Sequence, residues 1–224
     1  MRERLRSWYD TECEKLSQLG GKEKIEYVWT YYKLWIVGIL SFLAIGIFLT
    51  VRIATNIEGN WLYGMFANTF ADVGTGSELW EDFTGYAGLD LKEKKVEFNA
   101  ESYFDYLKNQ TKGNDYYNAF VALTDGGILD FITMEPDSLE ALAQSGRLTD
   151  LRLERCKALL DRYADRVIYF QSVDGPIPVG FDISDSLLIT RYRVYPERCA
   201  IGICAHSGNL DTIALFLKFV LQEE

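Results

Sequence analysis

The rhythm of apolar and polar positions changes along this chain, and each change predicts a different kind of element. Residues 2–19 place Leu5, Trp8, Tyr9, Cys13, Leu16 and Leu19 at helical spacing among Arg and Glu. That spacing predicts an amphipathic helix, stopped by Gly20-Gly21. A second pattern starts at Lys22, with Ile25, Val28, Trp29 and Tyr32 on one face, and runs into residues 34–51, eighteen positions without a charge. With Ile53 and Ala54 beyond Arg52, the stretch reaches the ~20 residues that cross ~30 Å of hydrocarbon. It predicts a single transmembrane helix over residues 34–54.

Beyond Glu58-Gly59-Asn60 the rhythm becomes short apolar runs alternating with helical stretches. Strands are predicted from Trp61, over 94–100, 128–135, 166–172 and 198–205. Between them lie a helix capped by Ser77 and ended by Gly88, a helical turn over 101–108, and a helix entered through Gly113-Asn114-Asp115. Another helix opens at Pro136 and ends at Gly146, a charged one covers 153–163, and an amphipathic one closes the sequence. Residues 173–186, VDGPIPVGFDISDS, read as a turn-rich exposed lobe or β-excursion. Strands alternating with helices of about ten residues predict an α/β domain, a mostly parallel sheet with helices on both faces.

Charge sets a direction. Lys22, Lys24 and Lys33 precede the span, whereas no basic residue follows Arg52 until Lys92. The positive-inside rule then puts the N-terminus in the cytoplasm and the C-terminal domain outside. Tyr27, Trp29, Tyr31, Tyr32 and Trp35 form an aromatic belt at the point of entry. The long acidic-and-basic preamble and the lack of an A-x-A motif argue for a retained signal anchor rather than a cleaved signal peptide. The expected layout is a cytoplasmic tail over 1–33, the anchor over 34–54 and an extracellular domain over 55–224, joined by about seven residues. Gly38, Ser41, Ala44 and Gly46 give no G-x-x-x-G spacing, so the span itself offers little for dimerisation.

The domain carries fifteen Lys or Arg against twenty-seven Asp or Glu, a formal charge of about −12. Such a surface is read first as a means of solubility; it also disfavours nucleic acid, and would attract cations or basic peptides where the charge is focused in a cleft. Cys199 and Cys204 lie five apart in one strand, on opposite faces, so they do not easily pair with each other; buried free thiols are expected there and at Cys156, the alternative being a bond from Cys156 to one of the two if the fold brings them close.

Candidate chemistry is sparse. His206 stands alone in the turn HSG, without the partners of a zinc site or a nucleophile elbow, and is expected to be exposed. Gly74-Thr75-Gly76 precedes a helix but lacks the Lys-Ser/Thr of a P-loop and the third Gly of a dinucleotide fingerprint. Asp125, Asp130, Glu135 and Asp137 crowd one segment, which reads as a solvated edge, although Glu135 falls at a strand end where open α/β sheets hold ligands. Asn109-Gln110-Thr111 is a glycosylation sequon of the kind that arises by chance. No catalytic residue, metal ligand or cofactor is expected.

Two stretches carry a resemblance. KEKIEYVWTYYKLWIVGIL is similar to the start of uncharacterised single-pass membrane proteins of anaerobic Gram-positive bacteria. ILDFITMEPDSLEALAQSGRLTDL and AIGICAHSGNLDTIALFLKFVL resemble an extracellular solute-binding protein of the periplasmic-binding type 2 class, reduced in size. The resemblance implies a solute-binding-like fold with a small or missing second lobe. Together these readings give a membrane-anchored, non-enzymatic protein that captures a small molecule or envelope component, and they leave open whether a cleft separates residues 172–197 from the sheet. Ligand residues are expected where Asn68, Thr69, Glu135 and Asp174 converge, flanked by Tyr63 or Tyr169. The alternatives are a scaffold subunit that docks on another membrane protein, and an envelope hydrolase using Glu135.

Overall fold

A computed structural model describes residues 11, 14, 15, 17–55, 59–108 and 110–223. The chain forms two compact units, 1–56 and 57–224. Most of the expected tail helix, with Cys13, lies outside the described residues, as do Asn109 of the sequon and residues 56–58 of the tether; Thr11, Glu14, Lys15, Ser17 and Gln18 are helical.

The first unit is built on α1 (Gly21–Thr55), an unbroken helix of 35 residues. Glu23 opens it by accepting the Gly20 N–H at 2.9 Å, the returning half of a capping box. Its stretch Gly21–Thr50 has a mean hydropathy of 2.1 over the most apolar window, with none of that window buried. Thirty residues of helix measure ~45 Å, so α1 is long and apolar enough to cross a bilayer. Trp29, Tyr31 and Trp35 turn outward from it.

The second unit is α/β. In chain order it comprises β1 (Asn60–Ala67), α2 (Glu78–Ala87), β2 (Lys95–Ser102), α3 (Asp115–Asp125), β3 (Phe131–Met134), α4 (Pro136–Leu142), α5 (Lys157–Arg162), β4 (Val167–Ser172), β5 (Gly175–Asp182), α6 (Leu187–Thr190), β6 (Ala200–Ile203) and α7 (Leu210–Val220). The six strands form one sheet in the order β2-β1-β3-β6-β5-β4.

The sheet is mixed, which corrects the expectation of a mostly parallel one. β2, β1 and β3 are parallel, joined by the crossover helices α2 and α3. β6 then runs antiparallel to β3, β5 antiparallel to β6, and β4 antiparallel to β5. For β4 and β5 the cause is local: only Val173 and Asp174 separate the paired residues Ser172 and Gly175, and a two-residue turn leaves no length for a crossover. Residues 175–182, expected in an exposed lobe, are therefore a strand inside the sheet. The expected helix over 101–108 is likewise strand to Ser102 followed by a turn.

Glycine and proline in β5 have specific tasks. Gly180 faces Gly202 of β6, and a Cβ on either would come within 2.7 Å of a Leu139 methyl, so the pair lets α4 press onto the sheet. Pro178 lacks an N–H, but its carbonyl accepts from Leu151 N at 3.0 Å on the side away from β4.

Alternating strand side chains build a core on each face. On one face Leu62, Phe66, Phe131, Phe181 and Ile201 meet α2, α5 and α7; on the other Met65, Ile132, Val179 and Ala200 meet α3 and α4. Phe131 stacks on Phe216 at 4.8 Å, and Gly64 leaves the space its ring fills. Cys156 and Cys199 lie in the first core and Cys204 in the second, all as free thiols. Burial pushes each thiol above the usual cysteine value.

Candidate functional site

The helix and strand signals around β1 and β2 put two loops side by side at the carboxyl ends of these strands. Ser77 Oγ accepts from Trp80 N at 3.3 Å and fixes the start of α2, while the Asn114 side chain accepts from Tyr116 N and Tyr117 N and fixes the start of α3. α2 packs on one face of the sheet and α3 on the other. Loops that leave adjacent parallel strands for opposite faces open a crevice between them, the place where open α/β sheets bind ligands.

A groove of about 680 Å³ occupies that crevice, with Phe70, Asp72, Asn99, Glu101, Tyr103 and Tyr116 among its lining residues. β2 bends there: Met65 pairs with Asn99 and Ala67 with Ser102, so β2 holds one residue more than β1 across the same interval. Such a bulge re-aims side chains at a strand end.

The loop after β1 is pinned so that Phe70 faces solvent. Thr69, next to it, is buried; its Oγ1 donates to Val194 O and accepts from Ala71 N at 3.2 Å. Val73 is buried further on. Between these anchors Phe70 is 93% exposed, and one of its faces rests on Tyr103 with centroids 4.9 Å apart. Tyr103 meets Tyr116 edge-on at 6.0 Å.

Tyr103 is held at both ends. Its hydroxyl donates to Thr69 O, and its carbonyl accepts from Asn114 Nδ2 at 2.9 Å. Partial burial, and after it the neighbouring Tyr116, raise the Tyr103 phenol above the usual tyrosine value, so it stays a donor at neutral pH.

Asn68 joins the two loops. It adopts φ 60°, a left-handed conformation that Asn tolerates better than most residues, and trades two hydrogen bonds with Phe104: Nδ2 to O at 2.9 Å and N to Oδ1 at 3.0 Å. Asn68 and Thr69 thus precede the groove-lining Phe70 in the chain, and their polar atoms hold the loops.

The other expected residues do not join them. Glu135 is exposed at the start of α4, at the same end of the sheet but outside the groove lining. Asp174 is in the β4–β5 turn. The register aligns Gly180, Gly202 and Ile132, so Asp174 and Glu135 lie on the order of 30 Å apart along the strands. Tyr63 is buried in the core and Tyr169 is half exposed on β4; neither lines the groove. β5 pairs on both sides, so residues 175–182 belong to the sheet and not to a separate lobe.

Sequence reasoning missed Phe70, Tyr103 and Tyr116. The signal available was a Phe placed between polar turn residues, NTFADVG, where a core ring has nothing to pack on.

The opposite end of the parallel strands is closed. Asp130, read as part of a solvated edge, is 1% exposed. Its carboxylate accepts from Tyr63 N at 2.8 Å, Ser207 Oγ at 2.7 Å and Asn209 Nδ2 at 3.1 Å. His206 next to it is exposed. Among the described residues no group of His, Cys, Asp and Glu has the makings of a metal site.

None of the family models compared with the chain matches it, and the comparison with curated proteins finds no relative, so the groove has to be interpreted from its own geometry.

Proposed function

We propose that this chain is a membrane-anchored protein of the solute-binding kind, which captures a small molecule or envelope component without transforming it. The observation that carries this reading is the groove at the carboxyl ends of β1 and β2, with an exposed ring held at its mouth by pinned neighbours. An exposed Phe is a poor use of an apolar side chain unless something covers it. Its volume falls in the range of small-molecule sites.

In this reading α1 is the anchor, the N-terminus is cytoplasmic and the domain is extracellular. The length and hydropathy of α1 support the anchor, and the lysines before the span support its direction. Val173 is fully exposed in the β4–β5 turn, and Cys156, Cys199 and Cys204 are buried. In intact cells, Val173→Cys is expected to react with a membrane-impermeant maleimide; protection until the cells are lysed would contradict an external domain.

The binding role is tested by thermal unfolding of the full chain in detergent against a panel of amines, amino acids, sugars and carboxylates. A ligand at a hundred times its Kd adds ~2.7 kcal/mol, equivalent to a rise of roughly 5–10 °C for a domain of this size. A panel that shifts nothing, together with a stoichiometric co-purifying membrane protein, would replace this reading with the scaffold one.

A further inference from the structure

We infer that the groove recognises an organic ammonium group, an inference that rests on the binding role proposed above. Its walls combine ring faces with negative charge. Phe70 has one face on Tyr103 and the other toward solvent, and Tyr116 is 47% exposed beside them. The face of an aromatic ring carries a negative quadrupole and attracts a cation placed over it.

Asp72 and Glu101 are the charged residues in the lining, both exposed, and no Lys or Arg lines the groove. An anionic ligand would meet two carboxylates and no cation. A neutral ligand would gain the rings but nothing from the charge.

Some other rings of the domain already carry a cation of the chain. Lys94 sits 4.6 Å over Trp61, Arg162 lies 5.8 Å from Tyr163 and Arg191 lies 5.1 Å from Tyr192. Asp105, Asp125, Asp150 and Asp185 are likewise paired with cations of the chain. Among the described residues, no such partner occupies Phe70, Tyr103, Tyr116, Asp72 or Glu101. Inside the groove the rings and the two carboxylates have no cation of the described residues beside them, so a cation from outside can take that place.

A primary ammonium is strongly hydrated, whereas an alkylated one sheds water readily and presents methyl groups to the rings. The rings therefore favour a quaternary or methylated amine. The same group occurs in free amines and on methylated lysine side chains of peptides, and the volume admits the attached chain in either case.

The test titrates the full chain, in a maltoside detergent free of choline head groups, with choline and with 3,3-dimethyl-1-butanol, its uncharged carbon isostere. A second arm uses Nα-acetyl-Nε-trimethyl-lysine methylamide, and a third uses acetate and glutarate. Choline or the lysine derivative should bind at least ~10-fold more tightly than the isostere, the stronger of the two identifying the source. Phe70→Ala, and the pair Asp72→Asn with Glu101→Gln, should each weaken binding by ~10-fold or more without changing the unfolding temperature by more than a degree or two.

Equal affinity for choline and its isostere, or preference for the carboxylates, lost in Phe70→Ala, would overturn the ammonium inference and leave the groove a binding site. Binding by no compound here and no shift in the wider panel would overturn both. Binding of choline undiminished by Phe70→Ala would place the site elsewhere and refute the inference.

Discussion

The two ends of the β1–β3 strands treat polar and aromatic side chains in opposite ways. At the amino ends of β1 and β3, Asp130 is buried with each oxygen satisfied by Tyr63 N, Ser207 or Asn209. At the carboxyl ends of β1 and β2, the Phe70, Tyr103 and Tyr116 rings and two carboxylates line a groove that the chain itself does not fill, with Phe98 at its inner wall. A closed polar network of this kind stabilises a fold, and removing one member leaves the others unpaired. An open cluster held rigidly by its neighbours contributes little to stability and is free to serve recognition. Mutations at the two ends are therefore expected to separate stability from binding.

The largest effect is expected from Asp130→Ala. It strands the Tyr63 N–H and the Ser207 hydroxyl inside the protein, at ~1–3 kcal/mol for each, and leaves the half-buried Asn209 amide with Asn60 O alone. Denaturant unfolding should show a loss of about 3–5 kcal/mol. A loss below ~1 kcal/mol would mean that the network is not closed in solution.

Gly202→Val comes next. Its side chain would run into Leu139 and Leu148, and overpacking of that kind costs ~1–3 kcal/mol. Leu139→Ala in the same chain is expected to recover part of the loss, because it vacates the space that Gly202 protects. Ser207→Ala removes one donor to Asp130 and should cost ~1–2 kcal/mol.

At the open end, Phe70→Ala should change stability by no more than ~0.5 kcal/mol, as expected for a side chain that is 93% exposed. Tyr103→Phe removes the hydroxyl that ties the β2–α3 loop to Thr69. It should cost ~1 kcal/mol or less and loosen the β1–α2 loop, read as faster amide exchange at Ala71.

The smallest effect concerns acid. Arg166 grips Asp185 with two hydrogen bonds, of 2.6 and 2.9 Å, and this holds the Asp185 carboxyl below its usual value. A carboxyl lowered in the folded state stabilises fully above its unfolded pKa and loses that contribution as pH falls through the folded one. Because the pair is largely exposed, the contribution stays below ~1 kcal/mol. The Tm gap between wild type and Arg166→Gln should be small at pH 7 and vanish near pH 2.

The sequence spelled out the parallel half well. Ser77, Gly88, Asn114 and Gly146 stand at the boundaries where capping chemistry puts them, and the alternating apolar pattern names both core faces. In the antiparallel half it marked β4 and β6 but disguised β5, because Gly175, Pro176, Pro178 and Gly180 give β5 the composition of a turn. Those residues answer to tertiary neighbours: Leu139 needs Gly180 bare, and Leu151 bonds the carbonyl of Pro178. No local signal encodes either contact.

The site was half legible for a related reason. Position at a strand end singled out Asn68 and Thr69, which proved to hold the loops beside the groove. Phe70, Tyr103 and Tyr116 come from three segments and are indistinguishable by type from core rings such as Phe66 or Phe131. Asp130 shows the reverse failure, since a charged residue among other carboxylates reads as surface while its satisfying donors, Ser207 and Asn209, lie far along the chain.

One measurement weighs the two ends directly: ligand-induced change in Tm for wild type, Ser207→Ala and Phe70→Ala, each as the full chain in maltoside detergent with saturating choline and with the wider panel. At least one compound should raise the Tm of wild type and Ser207→Ala by the same several degrees, although Ser207→Ala starts lower, and leave Phe70→Ala unmoved at a normal starting Tm. A shift that persists in Phe70→Ala, or no shift in wild type with any compound, would contradict the assignment of binding to the open end.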